Sequence, residues 1–415
     1  MFKKAHLENG IPVVMEQIKN VHSVALGIWV KVGSRNELPE KNGISHFLEH
    51  MFFKGTQKRS ARDIAVDTDS LGGDLNAFTS RESTTFYIKV LDEYLDRGTE
   101  LLSDIFLHST FPENDIEKEK GIIKEEIKLV EDTPDDYIHD LFNQTIWGNE
   151  GIGQPVLGRR ETIKSFKRED LTSHIKKYYG TKDTVISCAG NFEVDKLLDK
   201  LNHSFGSLRR GSEPEKGPQP VFNGKISIHS KDLSEVHLCI GVKGIPQSSN
   251  DRYILFLLNT ILGAGVSSRL FQEIREKRGL AYSIYSYITS YLDTGVWAIY
   301  AGTGKKKITE VIELILKEVN GLADTLTDAE LQRAKDQLKG NLILGLESTS
   351  SRMQNIARQE IYYGRYYSPN ELIKEINAIT LKQVKELSEK LLRQNTFALT
   401  VLGPVSEGDI KGIAG

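Results

Sequence analysis

The same alternation of apolar and polar positions appears once in each half of the chain. In residues 23–33, SVALGIWVKVG, the apolar positions Val24, Leu26, Ile28 and Val30 alternate with their neighbours and are followed by Lys31. In residues 235–245, EVHLCIGVKGI, Val236, Leu238, Ile240 and Val242 do the same before Lys243. A period of two predicts a β-strand, used twice. A helical pattern is also repeated: Ile116, Ile123 and Ile127 in IEKEKGIIKEEI correspond to Leu331, Leu338 and Leu342 in LQRAKDQLKGNL. Between these landmarks lie amphipathic helices and alternating strands, NAFTSRESTTFYIKVL in the first half and LAYSIYSYITSYL in the second. Strands mixed with helical hairpins, without a regular βαβ beat, predict an α+β protein of two tandem homologous domains, each a mainly antiparallel sheet packed with helices. The stretch richest in Pro, Gly and charge, GSLRRGSEPEKGPQPVFNGK at residues 206–225, reads as the connection. The expected division is a domain over 1–210, a linker over 211–221 and a second domain over 222–415.

Composition narrows the partners. The 415 residues carry 54 Lys+Arg against 57 Asp+Glu, a net charge of −3. So even a balance offers little attraction for phosphate backbones or anionic membranes, which argues against a nucleic-acid or membrane role. The start of the chain, MFKKAHLENGIPVVMEQ, lacks the apolar run and small-residue cleavage site of an export signal. No segment has the roughly 18–20 uninterrupted apolar residues of a membrane span. Cys188 and Cys239 stand alone in the apolar runs TVISCAG and VHLCIGV and read as buried, reduced thiols. A cytoplasmic protein is expected.

The chemistry concentrates in GISHFLEHMFFKGT. Ile44, Phe47, Leu48 and Met51 recur at i, i+3, i+4 and i+7 and form one apolar helix face. His46, Glu49, His50 and Phe53 recur with the same spacing, nearly opposite. Imidazoles at i and i+4 stand one turn apart and can reach a single ion, with the carboxylate at i+3 beside them. The bland alternative is a surface helix whose histidines happen to be in phase.

A catalytic zinc site wants a third protein ligand and an open fourth position. In DIEKEKGIIKEEIKLVEDTP, the residues Ile122, Ile123, Ile127, Leu129 and Val130 read as an apolar stripe, and Glu119 and Glu126 fall inside it. Glu117 and Glu125 share the opposite side with Lys124 and Lys128. A carboxylate on a buried face is costly unless it is paired or bound to metal. Glu126 is therefore the expected third ligand, and Glu119, two turns earlier, the expected support for a ligand. Burial beside an Arg or Lys is the competing explanation.

HFLEH followed 76 positions later by Glu126 resembles the inverted zinc motif H-x-x-E-H of the pitrilysin, insulin-degrading enzyme and mitochondrial processing peptidase family. The likeness runs through the whole chain, repeat included, and is nearest to the small bacterial processing-protease-like branch. It implies that His46, His50 and Glu126 hold one Zn²⁺ per chain, that Glu49 is the catalytic base and that Glu119 supports the site. It also implies a zinc endopeptidase acting on short or unfolded peptides. On residues alone, LGGDLNAFTS is a Gly-Gly turn running into a strand; by resemblance, Asn76 and Ala77 bind the backbone of an extended peptide by strand addition. In SSRLFQEIREKRGLAYSIYS, a helix capped near Ser267 and ended by Gly279 precedes a strand. There Arg275 and Tyr282 match the family's Arg/Tyr pair, which approaches the substrate near the zinc.

The second half carries no such site, because 257–262 has no His or carboxylate and Glu119 and Glu126 map onto Ala334 and Asn341. Larger family members carry four lobes and this chain two, so the resemblance implies half of a clamshell chamber, completed in a homodimer whose Arg275 and Tyr282 reach the other subunit's zinc. The competing functions are a processing subunit that needs a different partner, and a non-catalytic scaffold homologue.

Overall fold

The computed structural model describes residues 1–211, 219–392 and 396–409. Most of the expected linker, residues 212–218, lies outside the described residues. The chain divides into two compact units. The first comprises Met1–Leu129, Glu150–Pro218 and Gly345–Tyr366, the second Val130–Asn149, Gln219–Leu344 and Tyr367–Gly415.

Eleven strands are described: β1 (Phe2–His6), β2 (Pro12–Gln17), β3 (Ser23–Val30), β4 (Asp74–Thr79), β5 (Thr84–Leu91), β6 (Thr184–Gly190), β7 (Ile226–Ser230), β8 (Val236–Lys243), β9 (Ala281–Ser290), β10 (Gly295–Thr303) and β11 (Ala398–Gly403). The helices that matter below are α1 (Ile44–Phe52), α2 (Leu95–His108), α3 (Glu113–Glu131), α4 (Pro134–Trp147), α5 (Arg252–Leu262), α6 (Asp328–Gly345) and α7 (Thr349–Tyr363).

The first sheet has the order β1-β2-β6-β3-β5-β4 and the second β7-β11-β8-β10-β9. With β1 removed, the two orders correspond strand for strand. Even the single parallel pair recurs, β2 with β6 and β7 with β11, among otherwise antiparallel neighbours. The repeated alternation is thus the middle strand of each sheet, β3 in one and β8 in the other. The mixed α+β class and the tandem duplication follow from this correspondence.

Both middle strands are buried on both faces. One face of each sheet meets the main core of its unit, with Leu26, Ile28, Phe86 and Ile88 in the first and Leu238, Ile240, Trp297 and Ile299 in the second. The other face is covered by a helix from the other half of the sequence. In the first unit Met353, Ile356 and Ala357 of α7 pack on Val14, Ala25, Trp29, Val185 and Ala189. A glycine permits this approach, since a Cβ on Gly27 would lie 2.5 Å from the Met353 sulfur. In the second unit α4 lies along β8 and β11, where Thr400 Oγ1 donates to Thr145 Oγ1 at 2.9 Å. Both cysteines are free and buried in the middle of their sheets, and burial pushes both thiols up.

Three local expectations change. NAFTSRESTTFYIKVL is not one strand but the hairpin β4–β5, because Ser80 turns the chain: its hydroxyl accepts from the backbone N–H groups of Glu82 and Ser83. Ile122 and Leu129 do not belong to the buried stripe of α3; they are 50% and 67% exposed, and the core takes Ile116, Ile123 and Ile127. The segment that carries Arg275 is π-wound over Phe271–Glu276, then the chain turns at Gly279 with φ +59° as expected. Among the described residues no helix is long and apolar enough to cross a membrane.

Candidate metal centre

The helix α1 is held at both its start and its apolar face. Gly43, just before it, adopts φ +93°, and a Cβ there would lie 2.6 Å from Gly158 Cα. Only glycine allows this start. The buried Glu37 carboxylate then accepts from the Gly43 N–H at 2.7 Å, the Ser45 N–H at 2.8 Å and the Asn42 amide at 3.0 Å. The two backbone groups are free donors of a helix N-terminus, where a carboxylate is favoured. Ile44, Phe47, Leu48 and Met51 enter the core with no more than 2% exposure. Each such side chain contributes about 1.5–3 kcal/mol of burial free energy, so α1 cannot rotate without exposing them.

That anchorage aims the opposite face at α3. The Nε2 atoms of His46 and His50 lie 3.8 and 3.7 Å from Glu126 Oε2, and the three potential ligand atoms all fall within 4.8 Å of one another. Ligands about 2.1 Å from a tetrahedral ion stand roughly 3.4 Å apart, so the two His–Glu126 distances need to close by only a few tenths of an ångström, and no pair by more than about 1.4 Å, to hold one ion. The Glu126 Oε2 atom is itself buried and has no hydrogen-bond partner among the described residues, although the side chain is 37% exposed. A buried, unpaired carboxylate oxygen facing two imidazoles calls for a cation. Burial, with His50 adding to it, pushes His46 down to about 3, so its nitrogen stays neutral and able to ligate.

Glu119 lies beneath this face, 2% exposed. Its Oε2 is 3.0 Å from His50 Nδ1 and its Oε1 2.7 Å from Lys54 Nζ. Accepting from Nδ1–H fixes the tautomer of His50 with the Nε2 lone pair toward Glu126. Burial raises Glu49 above the ordinary carboxylate range, while Thr79 and the nearby His50 pull it back. The Thr79 hydroxyl donates to Glu49 Oε2 at 2.6 Å.

Asn76 and Ala77 lie on β4, the edge of the first sheet, opposite Tyr87 and Phe86 of β5. No described strand pairs with the outer side of β4. Arg275 and Tyr282 lie in the second unit, where the guanidinium stands 5.7 Å from the Tyr282 ring centre and Tyr282 is 78% exposed. The position of α1 in the repeat is taken by α5, RYILFLLNTIL, with no ligating side chain. Ala334 of α6, buried, takes the place of Glu119.

Sequence reasoning missed Lys54, Thr79 and Glu37. Lys54 stands one turn beyond His50 on the same face, so helical phase could have flagged it. Thr79 and Glu37 carry no periodic signal.

The model for insulinase, peptidase family M16, matches residues 12–160, and that for the peptidase M16 inactive domain matches residues 165–338. The chain is 43% identical over 405 residues to the uncharacterized zinc protease YmxG of Bacillus subtilis, covering 97% of this chain and 98% of that one. It is 36% identical to an uncharacterized zinc protease of Streptomyces coelicolor, covering 98% and 90% of the two chains. Among solved structures, the peptidase M16 inactive domain from Pseudomonas fluorescens superposes with a TM-score of 0.91 at 19% identity, covering 98% of each chain. A protease from Helicobacter pylori gives 0.89 at 23% identity, with 97% and 99% covered. These last two speak to the fold.

Proposed function

The chain belongs to the insulinase (M16) peptidase family, and on that premise we propose that it is a zinc endopeptidase cleaving short or unfolded peptides. The observation that carries this reading is the clustering of His46, His50 and Glu126, whose potential ligand atoms lie within 4.8 Å of one another, with Glu49 one residue from His50 on the same helix face. Relatives named as zinc proteases make zinc the expected ion. When bound, Zn²⁺ supplies Lewis-acid polarisation of a carbonyl and lowers the pKa of water toward ~7.

The side chains supply the rest. Glu119 holds His50 in its ligating tautomer, and Lys54 neutralises Glu119 from the far side. Glu49 Oε2 is engaged by Thr79, which leaves Oε1 to take the proton of the attacking water and return it to the leaving amine. The free edge of β4 receives the substrate as an added strand, with Asn76 and Ala77 pairing to its backbone. Such binding asks for an extended, unstructured peptide and no strong overall charge.

Arg275 and Tyr282 complete the site by holding the substrate carbonyl oxygen as charge develops on it. We assign them to the metal centre of a second copy in a cytoplasmic homodimer. Mixing a Glu49→Gln chain with an Arg275→Ala chain tests that assignment: activity above both parents after subunit exchange is expected, and none despite exchange refutes it. The function itself is tested by mapping cuts in a defined peptide pool, with and without chelator. Chelator-sensitive internal cuts are expected, and an uncut pool with stoichiometric metal bound would overturn the reading.

A further inference from the structure

We propose that Thr79 is a positioning residue for Glu49, setting the carboxylate from the same strand that receives the substrate. This rests on the peptidase reading above. In β4 successive side chains alternate between faces, so Leu75, Ala77 and Thr79 share one face and Asn76 and Phe78 the other. The burial agrees: Leu75 and Ala77 pack against the core beneath the first sheet, and Phe78 stands edge-on to Trp29 on the opposite side. Thr79 therefore points to the side on which α1 lies. Its hydroxyl reaches Glu49 Oε2 at 2.6 Å, the length of a charge-assisted bond.

The strand end that carries Thr79 is fixed from three directions. Thr79 pairs with Thr84 across the hairpin, where the Ser80 N–H donates to Ser83 O at 2.8 Å. The loop leading to α1 grips the hairpin tip through Ser34 N–H to Ser80 O at 3.2 Å and Arg35 N–H to Arg81 O at 2.9 Å. A Cβ on Gly33 would fall 2.2 Å from Ser80 O, so the contact needs glycine there. Glu82 in this turn pairs with Arg35 and accepts from the Tyr362 hydroxyl at 2.9 Å, which ties the turn to α7. A β-branched residue on so constrained a backbone has little rotamer freedom. The hydroxyl is thus presented before substrate arrives, without reorganisation.

The consequence is geometric. The carboxylate of Glu49 is committed to Thr79, which stands two residues from Ala77 along the receiving edge. A peptide registered on β4 is thereby registered against the proton acceptor as well.

The test uses the full-length, zinc-loaded protein with Thr79→Val, which keeps the shape and removes the donor, and Thr79→Ser, which restores it. Thr79→Val is expected to lower kcat about 10–100-fold, as loss of a supporting hydrogen bond at a metal site does, with KM within twofold and zinc retained. Thr79→Ser is expected to recover most of that loss. A wild-type kcat in the valine variant, an equal loss in the serine variant, or a loss carried wholly by KM would overturn the proposal. A second measurement does not depend on turnover. In metal-free protein, urea midpoints of Thr79→Val, Glu49→Ala and the double variant are expected to be non-additive, and strict additivity would overturn the contact. If the midpoints are coupled while Glu49→Gln still turns over substrate, the positioning contact stands and the role of Glu49 as base falls.

Discussion

Replacing Glu119 separates a supporting carboxylate from a ligand. This side chain is 2% exposed and makes two contacts, 3.0 Å to His50 Nδ1 and 2.7 Å to Lys54 Nζ. The Lys54 side chain is 30% exposed and can turn to water when its partner changes, so that half of the arrangement is replaceable. The His50 half is not, because Nδ1 lies beneath the metal face. A hydrogen bond to a charged group contributes about 1.5–3 kcal/mol and a neutral one about half as much. Glu119→Gln keeps a neutral acceptor toward Nδ1 and gives up about 1–1.5 kcal/mol, which corresponds to roughly tenfold weaker zinc binding. Glu119→Ala removes the acceptor altogether and approaches the 100-fold loss known for such partners of ligating histidines. Competition against a chromophoric chelator at fixed pH and salt measures both constants. Zinc affinity within twofold of wild type in both variants would refute the idea that Glu119 orients His50.

Glu126→Ala is expected to abolish stoichiometric zinc binding while Glu125→Ala, on the exposed side of α3, retains it; equal metal content in the two would remove Glu126 from the ligand set. Gly43→Ala, which combines φ +93° with a Cβ 2.6 Å from Gly158 Cα, is expected to cost more than about 2 kcal/mol in urea unfolding. Gly72→Ala, at φ +55° with nothing within 4 Å, bears only the conformational cost of about 1 kcal/mol, so equal effects would argue against crowding at the start of α1. Burial pushes Glu37 up from 4.5 to about 7, so the folded state holds that proton more tightly than the unfolded chain. The sign follows: its contribution is full below pH 4.5 and is lost as pH rises to 7, by ~3 kcal/mol at most. Comparing urea midpoints at pH 5 and pH 8, wild type is expected to lose more stability than Glu37→Gln, and an identical loss in both would contradict the shift.

The division between what the sequence discloses and what it hides follows the range of the interactions. The two faces of α1 are a short-range property: Ile44, Phe47, Leu48 and Met51 go inward, while His46 and His50 on the opposite face meet Glu126 of α3, as helical phase requires. The duplicated strand pattern likewise marks the middle of both sheets. Phase was less reliable on α3, where apolar Ile122 and Leu129 sit on the exposed flank beside Glu126. Glu119 is fully buried and Glu126 only at Oε2, so the buried face of α3 is narrower than the stripe its apolar residues mark out. The pairing of Thr79 with Glu49 and of Glu37 with the start of α1 depends on closure of the chain, which no local period encodes. The same holds for α4 and α7, whose amphipathic patterns announce a buried face without naming the sheet that buries it.

The central claim is that Glu49 is a proton acceptor beside a metal it does not ligate. Glu49→Gln, assayed for zinc content and for turnover of a cleavable peptide in one preparation, tests that claim most directly. The account predicts wild-type zinc with activity lower by at least about 10²–10⁴-fold. Turnover above a tenth of wild type with zinc in place, or loss of the zinc itself, would contradict it.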